Sequence, residues 1–586
     1  MTESKDMSTK IEDYKRLGTP LPEKNLVWNM YGAGLQNIGK DGEAEVLSIP
    51  APGDDQILVR VDAVGMCFSD VKLIKLGNEH PKIFQRDLVN NPTRVGHEAS
   101  FTVVKVGKNR TSQFHPSQRL AIQPDIYRNQ MNTAYGYAIP GGLIQYHLVG
   151  PEILNADDTY VIPVDDSLSY AEAALTEPWA CVIAAYTQRR RLEPKTGGTM
   201  WLIAQPGDET DYEFSRFLDR PDMIVLTDVP QGLKEKIAQA AGKQTRIVEK
   251  NGLVPDNYPQ FSKEMTNGAG FDDIVLLKPG NAQMVSEAAR LIAFRGTLNI
   301  ISTQPLVGTV SIDAGRIHYH YTTYIGNSGR DIAASYGEIR NRADLKPGGM
   351  LVVVGGGGPM GQMHVQRALE MENGPKTVIA TDVNDTRLAA LEKIGLPIAR
   401  KLGKELILIN PNTSSESLAE LVTRKTSGKM ADDVNVCVPV GPLMQDSARL
   451  LGPDGMLIFF AGVPVGTMID VDINNIFLHN MQLTGTSGST MNDQRLVVQK
   501  TTAKELSPIL SVAAVGGIEA AVDGLDAMMT SKYTGKIIIF PQLSGLPLMG
   551  LAELKEKHPD IGARLSENGS WTVEAEEALI EKFWAR

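Results

Sequence analysis

The sequence predicts an α/β protein in which a β-rich domain is followed by two tandem doubly wound α/β domains. Three observations support this fold class. Short alternating strands with many Pro and Gly turns fill residues 25–190, a glycine-rich turn follows an apolar run near residue 355, and the pattern around that turn occurs twice. The chain of 586 residues is long enough for about three or four domains.

Composition excludes several classes of protein. Hydrophobic residues make up 42% and charged residues 22% of the chain, which is ordinary for a globular protein. A net charge of −11 disfavours nucleic acid and anionic membranes as partners. No apolar run approaches ~18 residues and residues 1–17 are polar, so we expect neither a membrane span nor a signal peptide. The three cysteines (Cys67, Cys181 and Cys437) favour a cytoplasmic protein without disulfides.

A phosphate-binding turn is the most informative motif of the chain. Gly356, Gly358 and Gly361 form G-x-G-x-x-G between a predicted strand at 351–354 and a predicted helix at 362–370. The glycines permit a tight turn, a close approach of the backbone to a pyrophosphate and close helix–strand packing, and the helix N-terminus offers free N–H groups. We expect these glycines, with Pro359 and Met360 of the same loop, to bind a dinucleotide.

Asp382 predicts which dinucleotide is bound. It follows a second apolar strand, predicted at 377–381, and lies 382 − 361 = 21 residues after the last glycine. A carboxylate at this distance accepts hydrogen bonds from the adenosine ribose and repels a 2′-phosphate, so the sequence favours NAD over NADP. The alternative is a glycine-rich turn in some other α/β domain.

The α/β unit is duplicated. The segment beginning at Gly198 aligns with the one beginning at Gly349 at an offset of 349 − 198 = 151. The strongest match pairs residues 296–329 with residues 455–488, at an offset of 455 − 296 = 159. We expect the first copy to span residues 196–345 and the second copy residues 346–490.

The first copy differs from the second where the dinucleotide would bind. Gln205, Gly207 and Thr210 take the places of the three glycines, and acidic residues surround them. Side chains at the first and third positions obstruct the turn, and negative charge repels a pyrophosphate. We therefore interpret the first copy as a dinucleotide fold that has lost its dinucleotide, with Asp228 as a relic or a solvated strand end.

Three short patterns in the β-rich part carry metal-binding residue types. They are Gly-Met-Cys67-Phe-Ser-Asp, Gly-His97-Glu98 and Thr-Glu177-Pro. Thiolate, imidazole and carboxylate ligands suit zinc, and a catalytic zinc keeps an open position for a substrate oxygen. Each residue alone is more often structural: a buried thiol, a core histidine or a solvated helix start. Their order ahead of a nucleotide-binding fold favours the metal site.

Taken together, these motifs resemble the zinc-dependent medium-chain dehydrogenases, especially their sorbitol (polyol) dehydrogenase branch. The runs at 91–98 and 114–124 are most similar to the L-sorbose-1-phosphate reductase group. The resemblance covers roughly residues 25–540 if one α/β copy is treated as an insertion. It implies that the β-rich domain is GroES-like and that the two α/β copies are Rossmann-type domains.

The resemblance also implies roles for individual residues. The implied zinc ligands are Cys67, His97, Glu98 and Glu177. Ser69 matches the hydroxyl that relays the substrate proton, and Asp70 a carboxylate that orients the histidine ligand. Lys72 stands where many members carry a relay histidine. The implied catalytic residues are Ser69, Asp70, Lys72 and Glu98.

One catalytic zinc ion and no structural zinc are expected, because residues 123–177 contain no cysteine for a four-cysteine lobe. After the second copy the chain is expected to return to the first domain and to end in a tail whose last part, 572–586, has amphipathic helical spacing. The predicted domains are residues 1–195 with 491–545 (catalytic), 196–345 (degenerate copy), 346–490 (NAD-binding) and 546–586 (extension).

The predicted reaction interconverts a secondary alcohol and a ketone on a polyol or sugar phosphate, with zinc and a nicotinamide cofactor. An epimerase or lyase with tightly bound NAD, and a non-catalytic NAD- or zinc-binding sensor or scaffold, are the alternatives. Arg94 and Lys82 are candidate phosphate contacts. The protein is expected either to form a homo-oligomer or to hold an intrachain pseudo-dimer, with segments 324–329 and 483–488 as paired edge strands.

Overall fold

The structure, a computed structural model, describes residues 9–84, 86–129 and 131–585. Within this part of the chain, an eight-stranded sheet forms the β-rich domain. Two of its central strands, Ile57–Gly65 and Glu98–Val106, are long, apolar and antiparallel to each other. The remaining strands are Arg119–Ile122, Tyr146–Val149, Val161–Pro163, Val512–Gly517, Lys536–Phe540 and Met549–Gly550.

Helices and short ribbons complete this domain. The helix Tyr170–Ala184, buried along nearly its whole length, packs on the two central strands and is called the ligand helix below. Two small antiparallel ribbons join Asn25–Val27 to Glu45–Leu47 and Tyr127–Arg128 to Met131–Asn132. The other helices are Phe68–Leu76, Pro151–Leu154, Met491–Thr502 and Ala521–Met529.

The first α/β copy is a six-stranded parallel sheet within the described stretch 131–585. Its six strands, in sheet order, follow the doubly wound arrangement 3-2-1-4-5-6. The strands are Thr199–Ile203, Met223–Thr227, Arg246–Glu249, Phe271–Leu277, Ile292–Ile301 and Thr323–Asn327. The helices are Gln231–Ala240, Tyr258–Thr266, Ala282–Arg290 and Ala314–Tyr319.

The second copy has the same strand order in its own six-stranded parallel sheet, again counted over residues 131–585. Its strands are Met350–Val354, Thr377–Thr381, Glu405–Ile409, Ala431–Val436, Leu451–Phe459 and Gln482–Gly485. Its helices are Pro359–Glu370, Asp385–Lys401, Leu418–Thr426, Gly441–Ser447 and Asn474–His479. The predicted fold class, with a GroES-like and two Rossmann-type domains, is therefore confirmed.

The two copies pack against each other around a pseudo-twofold axis. Strands Val310–Asp313 and Met468–Val471 pair antiparallel, and Ser311 lies opposite Asp470, its own equivalent at the offset 470 − 311 = 159. Pairing of a residue with its own equivalent is the mark of a self-complementary, twofold contact. Buried side chains from both copies, among them Ile312 and Ile469, belong to one hydrophobic core.

The predicted pairing of edge segments 324–329 and 483–488 is corrected by this arrangement. The edge strands Thr323–Asn327 and Gln482–Gly485 are in contact, but the ladder that joins the copies is the one formed by residues 310–313 and 468–471. Each edge strand is covered by the short helix of the other copy, because Gly326 leaves room for Phe477 and Gly485 leaves room for His318. These two contacts are equivalent, since 477 − 318 = 159 and 485 − 326 = 159.

The C-terminal extension packs onto the β-rich domain. It contains helices Leu551–Lys557, Pro559–Gly562 and Val573–Phe583. The last helix contacts the N-terminal helix Lys10–Arg16. Glu581 accepts hydrogen bonds from the first two backbone N–H groups of that helix. The predicted amphipathic helix is thus a packing element within the chain; residues 1–8 and Arg586 lie outside the described residues. Among the described helices, none has the length and apolar character that crossing a bilayer requires.

Candidate metal centre and cofactor site

The pairing of the two long strands brings the first candidate ligands together. Gly65 lies opposite Glu98 in the antiparallel ladder, so Cys67, two residues later, lies beside His97, one residue earlier. Cys67 is the N-cap of the helix Phe68–Leu76, which turns the chain away from the sheet. Segments 30 residues apart in the sequence (97 − 67 = 30) therefore meet at the end of a strand pair.

Three side chains have the geometry of a metal site. Among the described residues, Cys67, His97 and Glu98 form the one group whose ligand atoms all lie within 4.8 Å of one another. Glu98 Oε2 is buried and has no hydrogen-bond partner, which leaves it available to an ion. A thiolate, an imidazole and a carboxylate are a donor set that suits zinc, so the residues present fit this metal.

Asp70 connects two members of this group. Its Oδ1 accepts hydrogen bonds from His97 Nδ1 at 3.0 Å and from the Gly96 N–H at 3.1 Å. Its Oδ2 accepts from the Cys67 N–H at 3.1 Å. Burial acts to lower the pKa of His97, but the Asp70 carboxylate outweighs it and the pKa lies well above the usual value. With Nδ1 occupied by Asp70, His97 has Nε2 left for a metal.

Lys536 is a residue of this centre that the sequence did not single out. Its Nζ donates to Glu98 Oε1 at 2.5 Å, and both side chains are buried. Burial acts to lower the pKa of Lys536, but Glu98 and Cys67 raise it above the usual value, so the ammonium stays charged. Lys536 begins the strand that returns from the far end of the chain, 438 residues away (536 − 98 = 438). Nothing near Lys536 in the sequence indicates that Glu98 is its partner.

Glu177 lies on the ligand helix, outside the group of three. Burial, together with the negative charge of Glu98, raises the pKa of Glu177 to about 7. Cys181, one turn later, has its Sγ 3.8 Å from Glu177 Oε1. The ligand helix thus presents a buried carboxylate toward the metal group without bringing it within the same 4.8 Å set.

Ser69 and Lys72 lie on the helix that starts at Cys67. Ser69 is half-buried in the first turn, and Lys72 is exposed one turn later. Ser69 therefore lies two residues after the candidate ligand Cys67, and Lys72 lies on the solvent-exposed face of the same helix.

Gly136 and Tyr137 pack against the metal group, and a Cβ on Gly136 would lie 2.8 Å from the His97 Cβ. The ring of Tyr137 lies 5.8 Å from that of His97, and Lys82 Nζ lies 4.9 Å from the centre of the Tyr137 ring. Lys82 also makes an ion pair with Asp125 at 2.8 Å. Of the two candidate phosphate contacts, Lys82 therefore lies near the metal group.

Arg94 is bound by neighbouring groups of the protein, which corrects the prediction that it contacts a substrate phosphate. Its guanidinium donates to the Gly141 carbonyl and to Asn29 Oδ1, and it lies 3.1 Å from His147 Nδ1. Burial lowers the pKa of Arg94 to about 10. Because these partners occupy the side chain, Arg94 is a structural residue.

The glycine loop of the second copy has the geometry of a phosphate cradle. A Cβ on Gly356 would lie 2.7 Å from the Ala380 Cβ, and one on Gly361 would lie 2.2 Å from the Gly355 carbonyl oxygen. A Cβ on Gly358 would meet its first atom only at 3.6 Å, so this position faces open space. The helix begins at Pro359, three residues before the predicted start, because Gly358 serves as N-cap and Pro is favourable in the first turn.

Asp382 lies next to the glycine loop. It follows strand Thr377–Thr381, as predicted, and is buried. A Cβ on Gly357 would lie 2.8 Å from Asp382, and Asp382 Oδ1 accepts from the Asn384 N–H at 3.0 Å. The carboxylate therefore borders the loop that would hold the pyrophosphate, on the side where the adenosine ribose of a dinucleotide would lie.

The first copy has no such cradle. After strand Thr199–Ile203, the described residues 204–222 form no α-helix, so the N–H groups of a helix N-terminus are missing there. Asp208 instead accepts hydrogen bonds from Thr210 and Tyr212 within the loop. Asp228, the counterpart of Asp382, accepts from the Gly252 N–H. These contacts hold a polar loop where the second copy has its phosphate site.

Two known protein-family domains match this chain, one in the β-rich domain and one in the second α/β copy. Residues 53–156 match the alcohol dehydrogenase GroES-like domain, and residues 359–503 match the zinc-binding dehydrogenase domain. The solved structure of 2R,3R-butanediol dehydrogenase from Bacillus subtilis superposes with a TM-score of 0.50, at 15% identity, over 88% of this chain and 99% of that one. This likeness concerns the fold.

Two curated relatives are similar in sequence. D-arabitol-phosphate dehydrogenase of Enterococcus avium is 30% identical over 42% of this chain and 68% of its own length. L-sorbose 1-phosphate reductase of Klebsiella pneumoniae is 29% identical over 50% of this chain and 73% of its own length. The chain belongs to the zinc-dependent medium-chain dehydrogenases, in their polyol dehydrogenase branch, as the motifs predicted. It is an oxidoreductase of the type that uses zinc and a nicotinamide cofactor.

Proposed function

We propose that this enzyme interconverts a secondary alcohol and a ketone on a polyol or sugar-phosphate scaffold, using one zinc ion bound by Cys67, His97 and Glu98. The observation that carries the proposal is the convergence of these three ligand atoms within 4.8 Å, with Glu98 Oε2 unpartnered. Glu177 is proposed as a further carboxylate ligand, since it is buried close to Glu98. The zinc is proposed to be single because no second group of this kind occurs among the described residues.

The protein groups have separate tasks in this reaction. When bound, zinc supplies Lewis acidity toward the substrate oxygen and the nicotinamide ring accepts or donates hydride. Asp70 fixes the His97 tautomer, and Lys536 balances the charge of Glu98. Ser69, half-buried beside Cys67, is proposed to take the proton of the substrate hydroxyl, and Lys72 to stand at the solvent end of that path.

NAD is the proposed cofactor in preference to NADP, with Gly356, Gly358, Pro359, Met360 and Gly361 holding the pyrophosphate. The buried Asp382 beside the loop supports this preference, because a carboxylate repels a 2′-phosphate. In an Asp382→Ser variant, the ratio of kcat/KM for NAD to that for NADP should fall about tenfold or more. An unchanged ratio would contradict the assignment of Asp382.

A phosphorylated polyol is the proposed substrate class. The two similar enzymes named above carry arabitol phosphate and sorbose 1-phosphate in their names. In this chain Lys82 offers a cation near the metal group, although its ion pair with Asp125 already neutralises part of its charge. Sorbose 1-phosphate itself is the specific candidate.

A spectrophotometric screen tests the proposed function. Sorbitol, its phosphates and the related ketose phosphates should be assayed with both cofactors, and metal content should be measured before and after dialysis against a chelator. We expect substrate-dependent formation or loss of NADH that disappears with the zinc and returns when zinc is added. Full activity in the zinc-free protein would end the proposal. Binding of NAD without net NADH release would instead point to an epimerase or lyase.

The intrachain contact between the copies supports a further proposal on assembly. Because each chain holds the pseudo-twofold interface internally, we propose that it does not need a second chain to cover its edge strands. A homo-oligomer built through other surfaces is compatible with this proposal. Light scattering measures the molecular mass in solution and therefore the number of chains in the assembly. Mutation of residues 310–313 should lower the free energy of unfolding and leave that mass unchanged.

A further inference from the structure

A segment of the degenerate first copy reaches the cofactor-binding copy at the carboxyl ends of its strands. This crossing segment comprises residues 318–321, at the end of the helix Ala314–Tyr319. His318 Nδ1 lies 3.0 Å from the Phe459 carbonyl oxygen, so it donates a hydrogen bond to the end of that strand. A Cβ on Gly485 would lie 3.0 Å from the His318 Cα, so the absence of a side chain there admits the segment.

The carboxyl ends of strands in such sheets are where ligands bind. The crossing segment lies at this end of the second copy's sheet, beside Phe459 and Gly485.

Tyr321, the last residue of this segment, contacts the second copy. Its hydroxyl lies 3.3 Å from Ser487 Oγ, in the loop that follows the last strand of the second copy. Ser489 of the same loop accepts from Gln123 at 3.0 Å, and a Cβ on Gly488 would lie 3.2 Å from Asp125 Oδ2.

Asp125 pairs with Lys82, which lies against the Tyr137 ring, and that ring lies against His97. A continuous path of contacts thus joins Tyr321 to the metal ligands. Tyr321 is half-buried, so part of its side chain is accessible to a ligand.

The equivalent position of the second copy carries a different residue. It is Asn480, since 480 − 321 = 159, and Asn480 donates to Asp454 of its own copy at 2.7 Å. Arg295, whose equivalent is Asp454 (454 − 295 = 159), lies 4.7 Å from the Tyr321 ring centre. The crossing segment of the first copy thus carries an aromatic residue beside a cation, where the equivalent segment of the second copy carries an amide beside a carboxylate.

We propose that Tyr321, supplied by the degenerate copy and held beside Ser487, is a specificity-determining residue that receives the end of the substrate farthest from the metal. This inference rests on the proposed function and names the part of the substrate that is recognised. The ligand chemistry is an oxygen that accepts a hydrogen bond from the phenol. Both a distal hydroxyl and a distal phosphate ester supply it.

Kinetics of a Tyr321→Phe variant test the inference with three substrates: 2,3-butanediol, sorbitol and sorbitol 6-phosphate. A lost hydrogen bond to a bound substrate should lower kcat/KM for a long substrate about five- to tenfold, through KM rather than kcat. The short diol does not reach Tyr321 and should be unaffected. A larger loss with sorbitol supports a hydroxyl, and a larger loss with the phosphate supports a phosphate ester.

Two further variants separate recognition from folding. Tyr212→Phe removes another phenol of the first copy, one that donates to Asp208 at 2.8 Å. This variant should leave kcat/KM for all three substrates unchanged. Ser487→Ala removes the partner of Tyr321 and should raise KM for the long substrates about two- to threefold. Equal losses for long and short substrates, or no loss, would overturn the inference alone. Failure of the wild type to turn over any of the three would overturn the proposed function and this inference with it.

Discussion

Asp70 shows how one carboxylate can organise a metal site before any metal binds. It accepts from the backbone of Cys67 with one oxygen and from the imidazole of His97 with the other. Both contacts fix a ligand without using the atom that would bind the ion. The residue therefore lowers the cost of ordering the site when zinc enters.

Replacing Asp70 with Asn should weaken zinc binding about 10- to 100-fold, because outer partners of a histidine ligand contribute about that much to affinity. The measurement is competition with a chromophoric chelator. Thermal unfolding of the zinc-free variant serves as the control for folding. Zinc affinity equal to that of the wild type would show that His97 is oriented by other contacts.

Two glycines of the cofactor loop should respond differently to substitution. Gly358→Leu fills open space that a pyrophosphate would occupy, so the KM for NAD should rise about tenfold or more while zinc content stays unchanged. Gly361→Ala places a methyl group 2.2 Å from a backbone oxygen and should lower the free energy of unfolding by about 1–3 kcal/mol. Titration with NAD and chemical denaturation distinguish them. The reverse pattern would refute the assigned roles.

At the residue scale, the sequence predicted what lies within short motifs and missed what depends on distant segments. Cys67, His97 and Glu98 could be found because residue type and order point to zinc chemistry. Lys536 could not, because 438 residues separate it from Glu98. Arg94 was misjudged because proximity in sequence to His97 does not indicate on which side of the strand end its side chain is bound.

At the scale of elements, the ligand helix depends on the C-terminal extension. Glu576 is buried, and its two oxygens accept from the N–H groups of Tyr170 and Ala171, the first two residues of the ligand helix. A carboxylate at a helix N-terminus satisfies free donors. The extension thus anchors the helix that carries Glu177.

Burial of the Glu576 carboxyl predicts a pH-dependent stability, because the ionised form is less favourable in the folded chain than in water. Burial raises the pKa of Glu576 from about 4.5 in the unfolded chain to about 7. Its contribution is fully present below pH 4.5 and is lost as pH rises to about 7, so the free energy of unfolding should fall by up to about 3 kcal/mol across this window. In Glu576→Gln that decline should be smaller, as measured by denaturation at several pH values.

Glu577→Gln is the matched control for this measurement. Glu577 pairs with Lys15 on the more exposed side of the same helix, so its removal takes away one carboxyl without touching the ligand helix. We expect this variant to keep the wild-type pH slope. Identical slopes in all three proteins would show that Glu576 does not titrate in this range.

The elements themselves were largely predictable. The apolar run before the glycine loop and the strand before Asp382 matched because buried parallel strands consist of continuous apolar residues. The helix start was placed three residues late because Pro359 was assigned to the loop, although Pro favours the first helical turn. The loss of a helix after strand Thr199–Ile203 was not foreseen, since the aligned sequences retain similar spacing.

At the scale of the whole molecule, one cofactor should bind to each chain. The second copy has an open phosphate position at Gly358, whereas the first copy has a polar loop around Asp208. Isothermal titration with NADH should give a stoichiometry near one per chain. Gly358→Leu should abolish the heat of NADH binding, because the chain would have no second site to which NADH could bind. A stoichiometry near two, or binding that survives this substitution, would contradict the loss of the site in the first copy.

The arrangement of the copies was only partly predictable. Internal similarity at a constant offset indicated two sister units, and family resemblance suggested that their edges meet. Which strands pair could not be read from sequence, because it depends on Phe477 and His318 lying over Gly326 and Gly485. Those contacts place a helix where the edge strands would otherwise join.

The self-pairing of Ser311 with Asp470 has an evolutionary consequence. When two identical polypeptides associate, each genetic change appears on both sides of the axis, and a benefit in one half must be tolerated in the other. Covalent fusion removes this coupling. One half is then free to drift away from chemistry while the other keeps it, and both halves are still produced in equal amounts.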